Sequence, residues 1–147
     1  MKIAVGFDHA GIPLSDVVLD TVREAGHEPV DVGTQDDYPD TALDVARAID
    51  RGECERGIVV CGSGAGVAVA ACKLPGIRAA VGHDTYTAAQ CVSHDDCNVL
   101  ALGARVVGPA LAAACVRAFA DASFSGEERH VRRLGKVTTM EREGFSS

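Results

Sequence analysis

The stretch GIVVCGSGAGVAVAACK, Gly57 to Lys73, decides the fold. An apolar run, Ile58-Val59-Val60, ends in Cys61, and the cysteine opens directly into the glycine-rich turn Gly62-Ser63-Gly64-Ala65-Gly66. Small and apolar residues at helical spacing follow. A buried strand that turns through glycines into a helix is the building unit of a parallel α/β sheet.

The same unit recurs on both sides of this stretch. Upstream, KIAVGF reads as a strand ending near Phe7. PLSDVVLDTVREAG then sets Leu14, Val17, Val18, Thr21, Val22 and Ala25 on one helical face, and Gly26 ends it. EPVDVG is a short strand, and PDTALDVARAID is a helix through Ala42, Val45, Ala46 and Ile49 with Asp40 or Thr41 as its cap. Downstream come the strand GIRAAVG, the helix TYTAAQCV, the strand NVLALG and the helix PALAAACVRAFADA. This alternation predicts a single-domain, Rossmann-like three-layer α/β sandwich over residues 1–147, with about five parallel strands and helices on both faces. The polar tail from about 124 to 147 is expected to pack as a short helix carrying RHVRR, Arg129 to Arg133.

In such a sheet, ligands bind outside the carboxyl ends of the strands. Those ends carry Asp8 and His9, the Cys61–Gly66 turn, His83 and Asp84, and Gly103 to Arg105. The glycine turn lacks G-x-x-x-x-G-K-[ST], which excludes a nucleotide P-loop, and it fails the dinucleotide pattern G-x-G-x-x-G. A strand-to-helix turn with free N–H groups suits an anion or a developing oxyanion. Tight strand–helix packing alone also produces such a turn, and the residues leave both readings open. A thiol beside a helix N-terminus ionises readily and serves as nucleophile or base, whereas a buried strand-end thiol is commonly inert.

Composition narrows the function. The chain has 147 residues and a net charge of −7, which argues against a general nucleic-acid binder. Half of its 14 Lys and Arg lie from Arg105 onward, and a local arginine cluster on an acidic protein suits a small anionic ligand. Arg129 and Arg133 stand four residues apart on one helical face, a spacing that fits one phosphate group. None of the six cysteines, Cys54, Cys61, Cys72, Cys91, Cys97 and Cys115, has C-x-x-C spacing, so neither a zinc site nor a secreted disulfide framework is expected. No secretory h-region and no apolar run of about 18 residues is present, so a cytoplasmic protein without a membrane partner is expected.

The ordered motifs GFDHAG, DVGTQDDYPD, GIVVCGSGAGVAVAACKLPGIRAA, HDTYTA, NVLALGARVVG and RHVRR resemble the ribose-5-phosphate isomerase B family, from Met1 to about Val137. That family also includes galactose-6-phosphate isomerase subunits and related aldose–ketose phosphate isomerases. The resemblance implies a phosphorylated sugar as substrate, no metal and no organic cofactor, and a homodimer or tetramer with active sites shared across the subunit interface. It implies that Cys61 moves a proton between C1 and C2, that Ser63 shuttles protons on the sugar oxygens, and that His94 opens the furanose ring. The amides from Gly62 through Gly64 to Gly66 would stabilise the enediolate. Asp8 and Tyr38 would contact the sugar, while His9, Arg105, Arg129 and Arg133 would hold the phosphate.

The chain departs from the family pattern at two places. Asp95 stands where an asparagine contacts substrate, and Cys72 replaces another asparagine. Val67 occupies the position at which a subfamily carries a glutamate base. The expected reaction is ribose 5-phosphate to ribulose 5-phosphate through a cis-enediolate. The alternatives are an isomerase of allose, galactose or tetrose phosphate, or a non-catalytic sugar-phosphate-binding protein. A nucleotide-binding or universal-stress-type module is disfavoured by the absent P-loop.

Overall fold

The computed structural model describes Met1–Ser147. Five strands, β1 (Lys2–Asp8), β2 (Glu28–Gln35), β3 (Arg56–Cys61), β4 (Ala79–Val81) and β5 (Val99–Gly103), form one sheet in the order β2-β1-β3-β5-β4. Every neighbouring pair is parallel. The helices are α1 (Ser15–Glu24), α2 (Tyr38–Asp50), α3 (Ala65–Cys72), α4 (Thr85–Asp95), α5 (Pro109–Asp121) and α6 (Glu128–Glu143). No helix is long and apolar enough to cross a membrane.

Side chains alternate across each strand, so every strand feeds two cores. Ile3, Val5, Phe7, Ile58, Val60, Leu100 and Leu102 face α1, α4 and α5, where they meet Val18, Val92 and Phe119. Ala4, Val59, Cys61, Val99 and Ala101 face α2 and α3, where they meet Val45, Val67 and Ala71. Leu100, Leu102 and Phe119 are fully buried, and each contributes about 1.5–3 kcal/mol through area removed from water. Leu14, Val18, Thr21 and Val22 are buried as the helical spacing predicts.

Three boundaries differ from the sequence reading. The helix α2 starts at Tyr38 with Asp37 at the N-cap, because Pro39 in its first turn has φ already set for a helix. Thr41 is therefore inside the helix, and its hydroxyl donates to the Phe7 carbonyl at 3.0 Å. The strand β4 shrinks to Ala79–Val81 because the segment before it is tied to a side chain. Asn98 accepts from the Arg78 amide at 2.8 Å and donates to the Gly76 carbonyl at 2.9 Å. The tail helix α6 has 16 residues, longer than the short helix expected, and it leans on the body mainly through α4.

The chain leaves β1 toward α1 on one face and β3 toward α3 on the other. β1 and β3 are adjacent, so a crevice opens between their carboxyl ends. The Asp8–Gly11 and Cys61–Gly66 turns both border it.

Candidate active site

The turn after β3 is built around Gly64, whose φ of +80° is open to glycine at little cost. This left-handed step folds the chain back so that the Gly64 amide donates to Cys61 Sγ at 3.1 Å. Ala65 N–H donates to Ser63 Oγ at 3.1 Å. Cys61 is 4% exposed, and its sulfur lies at the N-terminus of α3 with an amide directed at it. Across the turn, Gly103 N–H donates to His83 Nε2 at 2.9 Å, which locks the end of β5 against the glycine loop. An accepting Nε2 means that Nδ1 carries the proton, and burial pushes the His83 pKa below its ordinary value.

A cavity of about 320 Å³ occupies the crevice. Its walls include Asp8, His9, Tyr38, Cys61, Gly62, Ser63, Gly66 and Arg105, so most of the expected site residues meet here. Asp8 Oδ1 accepts from the amides of Ala10 and Gly11 at 2.9 Å each, which fixes the carboxylate and leaves its second oxygen for a ligand. His9 Nδ1 lies 2.8 Å from the Asp36 carbonyl; because a carbonyl only accepts, Nδ1 carries the hydrogen and Nε2 is free. The Tyr38 ring lies against Gly66, where any β-carbon would stand 3.0 Å from it. Arg105 is anchored by its amide to the Gly62 carbonyl at 3.0 Å, and its guanidinium lies against Gly62.

The rest of the expected set is elsewhere. The helix α4 begins beside the carboxyl end of β4 and runs back along the sheet for 11 residues, about 16 Å. It delivers His94 and Asp95 to the edge where β5 begins, at the opposite end from Cys61. Asp95 and Arg133 line a larger cavity of about 720 Å³ beneath α6, together with Arg78, Cys97, Val137 and Met140. Arg129 is on the same helix but faces solvent, ion-paired with Glu127 at 3.0 Å. One chain thus carries two half-sets of site residues that do not meet.

One residue of this second cluster, His130, carried no weight in the sequence reading. His130 is 3% exposed, stacks on His94 with ring centroids 4.1 Å apart, and lies 2.6 Å from Ser125 Oγ through Nδ1. Burial and the neighbouring His94 push its pKa down, so it packs as a neutral ring. The signal was the histidine inside RHVRR, overshadowed by its arginines. No group of three or more His, Cys, Asp or Glu side chains is gathered as a metal ion would require.

A family model described as Ribose/Galactose Isomerase matches residues 3–137. The chain belongs to this family. It is 42% identical over 144 residues to ribose-5-phosphate isomerase B of Escherichia coli (strain K12), covering 95% of this chain and 96% of that protein. It is 41% identical over 131 residues to a D-erythrulose-4-phosphate isomerase of Pectobacterium atrosepticum, covering 86% of each. The solved structure of Trypanosoma brucei type B ribose 5-phosphate isomerase superposes with a TM-score of 0.90 at 47% identity, over 94% of this chain and 97% of that one. Clostridium thermocellum ribose-5-phosphate isomerase B superposes with a TM-score of 0.91 at 46% identity, over 97% and 98%. A member of this family is an aldose–ketose isomerase, and its five-stranded parallel sheet is the fold of these structures.

Proposed function

We propose that the protein interconverts ribose 5-phosphate and ribulose 5-phosphate, with Cys61 as the base. One observation carries the reading: Cys61 Sγ accepts the Gly64 amide at 3.1 Å inside a cavity that Asp8, His9 and Arg105 also line. Proton abstraction beside a carbonyl needs one base and a preformed site for the oxyanion. As thiolate, Cys61 takes the proton from C2 of the open-chain aldose, and the C–H electrons form the C1–C2 double bond while the carbonyl pair moves onto O1. Return of the proton to C1 gives the ketose. The Ser63 hydroxyl passes a proton between O1 and O2, and Gly62–Gly66 amides hold the enediolate. Asp8 and Tyr38 orient the sugar, and His9 and Arg105 face the phosphate.

The active unit in this proposal is a two-fold dimer. His94 is the ring-opening residue, yet α4 carries it to the sheet edge remote from Cys61. A second copy brings its own His94, Asp95, Arg129 and Arg133 to the strand-end cavity, completing a site that one chain leaves half-built. The exposed apolar side chains of α3 and α6, Val69, Val137 and Met140, fit burial in such an interface.

The relatives named as D-erythrulose-4-phosphate isomerases, 41% and 35% identical, raise a tetrose phosphate as the second reading. A four-carbon 4-phosphate closes no furanose, so it has no use for His94. Turnover on ribose 5-phosphate and on erythrulose 4-phosphate, with the wild type and with Cys61→Ala and His94→Ala, separates the readings. Ribose 5-phosphate should be the better substrate. Cys61→Ala should abolish turnover with ligand affinity within a few-fold, and His94→Ala should impair the cyclic substrate most. Exchange of the C2 proton with solvent at an undiminished rate in Cys61→Ala would remove Cys61 as the base. Faster turnover of erythrulose 4-phosphate would replace the pentose.

A further inference from the structure

The helix α6 buries a single side chain, and that side chain is a histidine. His130 is 3% exposed, whereas Val131, Val137 and Met140 of the same helix are open to solvent. Packing an imidazole away from water costs more than packing an aliphatic group, so its contacts must compensate. Two contacts do. Nδ1 lies 2.6 Å from Ser125 Oγ, and that oxygen is itself fixed by the Glu127 N–H at 3.2 Å. The flat of the ring lies on His94, with centroids 4.1 Å apart and planes 27° from parallel. The backbone around His94 is held independently of this stack. Ser125 N–H donates to the Ser93 carbonyl at 2.9 Å. Arg78 Nε donates to the Asp96 carbonyl at 2.8 Å, and its guanidinium pairs with the Asp96 carboxylate at 3.2 Å. These contacts fix the chain on either side of His94 but leave its half-buried ring to turn about its side-chain bonds. The stack on His130 removes that freedom. It covers one face of the His94 imidazole and leaves the nitrogen-bearing edge clear.

We propose that His130 is a positioning residue: its stacked ring holds the His94 imidazole edge-on to the sugar for ring opening. The inference rests on the function proposed for His94. Opening the furanose breaks the C1–O4 bond, puts a proton on O4 and takes one from the hydroxyl on C1. His94 gives the proton to O4 from its ring edge, so the angle of that edge sets the rate. His130 itself is buried and acts only through His94.

The charge state of His130 suits this task. When His94 carries the proton, a second positive ring 4.1 Å away would oppose it. Burial, together with His94, Arg129 and Arg133 and against Glu127, pushes the His130 pKa below its ordinary value. The imidazolium therefore meets the π-face of a neutral ring. The helix α6 also carries Arg129 and Arg133, so an effect on ring opening must be separated from an effect on phosphate binding.

Ribulose 5-phosphate makes that separation. Its carbonyl is at C2 and its O5 is esterified, so it closes no furanose, yet Cys61 still exchanges its C1 proton with solvent. The test measures turnover of ribose 5-phosphate and, in deuterium oxide, C1 proton exchange of ribulose 5-phosphate. His130→Ala and His130→Asn should slow turnover roughly 10- to 100-fold and leave exchange within about two-fold of the wild type. His130→Phe, which restores a flat ring, should recover most of the lost turnover. Wild-type turnover in His130→Ala overturns the inference. So does an equal loss in both reactions, which would mean that His130 only supports α6 and its arginines. A loss in His130→Phe as large as in His130→Ala would assign the effect to the Ser125 hydrogen bond and overturn the stack. Proton NMR gives a readout independent of activity. The His94 ring signals, assigned from their loss in His94→Ala, should move downfield in His130→Ala as the ring current disappears, and unmoved signals overturn the stack. A wild type with neither turnover nor exchange would instead remove the isomerase reading, and this inference with it.

Discussion

His83 illustrates how one residue sets a dependence on pH. Its Nε2 accepts the Gly103 amide, and burial holds its pKa below the ordinary value of 6.5. The folded chain therefore binds a proton here less readily than the unfolded chain does. Stability rises with pH between the lowered folded value and about 6.5, and it is lost as pH falls through that window. His130, lowered in the same direction, adds to the slope. Melting temperatures followed from pH 8 to pH 5 should fall, and the fall should be shallower for His83→Gln, which offers an acceptor but no proton-binding site. An equal slope in the variant would show that His83 does not titrate in this window. Cys61 and His83 are both strand-end residues by sequence, but only the folded turn distinguishes them. One receives an amide at a cavity wall, and the other staples β5 to the glycine loop.

At the scale of elements, α6 carries the arginines but makes little contact with its own sheet. Arg133 lines the cavity beneath it, and Arg129 pairs with Glu127 in solvent. An exposed pair of this kind contributes under about 1 kcal/mol, so Arg129 is easily drawn away to a phosphate. Charge-assisted hydrogen bonds to a phosphate contribute about 1.5–3 kcal/mol each. Arg133→Ala should weaken binding of inorganic phosphate and of sugar phosphates by roughly 10- to 100-fold, with folding unchanged because the side chain is exposed. Isothermal titration with inorganic phosphate measures this directly, and wild-type affinity would withdraw Arg133 from the site. The helical spacing of Arg129 and Arg133 was legible in the sequence. The length of α6 was not, because its polar composition leaves little apolar stripe to count.

For the whole molecule, the separation of His94 from Cys61 makes a quantitative prediction. Cys61→Ala and His94→Ala homodimers should each be impaired on ribose 5-phosphate. If each site combines Cys61 of one chain with His94 of the other, a mixed dimer has one doubly altered site and one intact site. Unfolding and refolding the two variants together gives about half mixed dimers, so roughly a quarter of the wild-type activity should return. Sites built within one chain would stay impaired in every pairing. No recovery, with mixed dimers verified by mass spectrometry, therefore rules out the shared site. The same experiment on erythrulose 4-phosphate should show only the average of the two parents, because that sugar needs no ring opening and each site then depends on Cys61 alone.

The sequence by itself determined the alternating units, the parallel sheet and the strand-end placement of Cys61, Ser63, Asp8 and His9. These follow from local periods: apolar runs, helical faces and glycine turns are written within a few residues of one another. Even the departures at Asp95 and Cys72 were visible as letters. What only the tertiary structure decided was which residues share a neighbourhood. Strand order β2-β1-β3-β5-β4 sets the crevice between β1 and β3, and no local pattern encodes that order. The direction of α4 carries His94 away from Cys61, and the return of α6 puts His130 onto its ring. The turn at Asp96 brings Cys97 back to Cys91. Contacts such as His94 with His130 join residues far apart in the chain, and they arise from packing of whole elements, which residue spacing does not record.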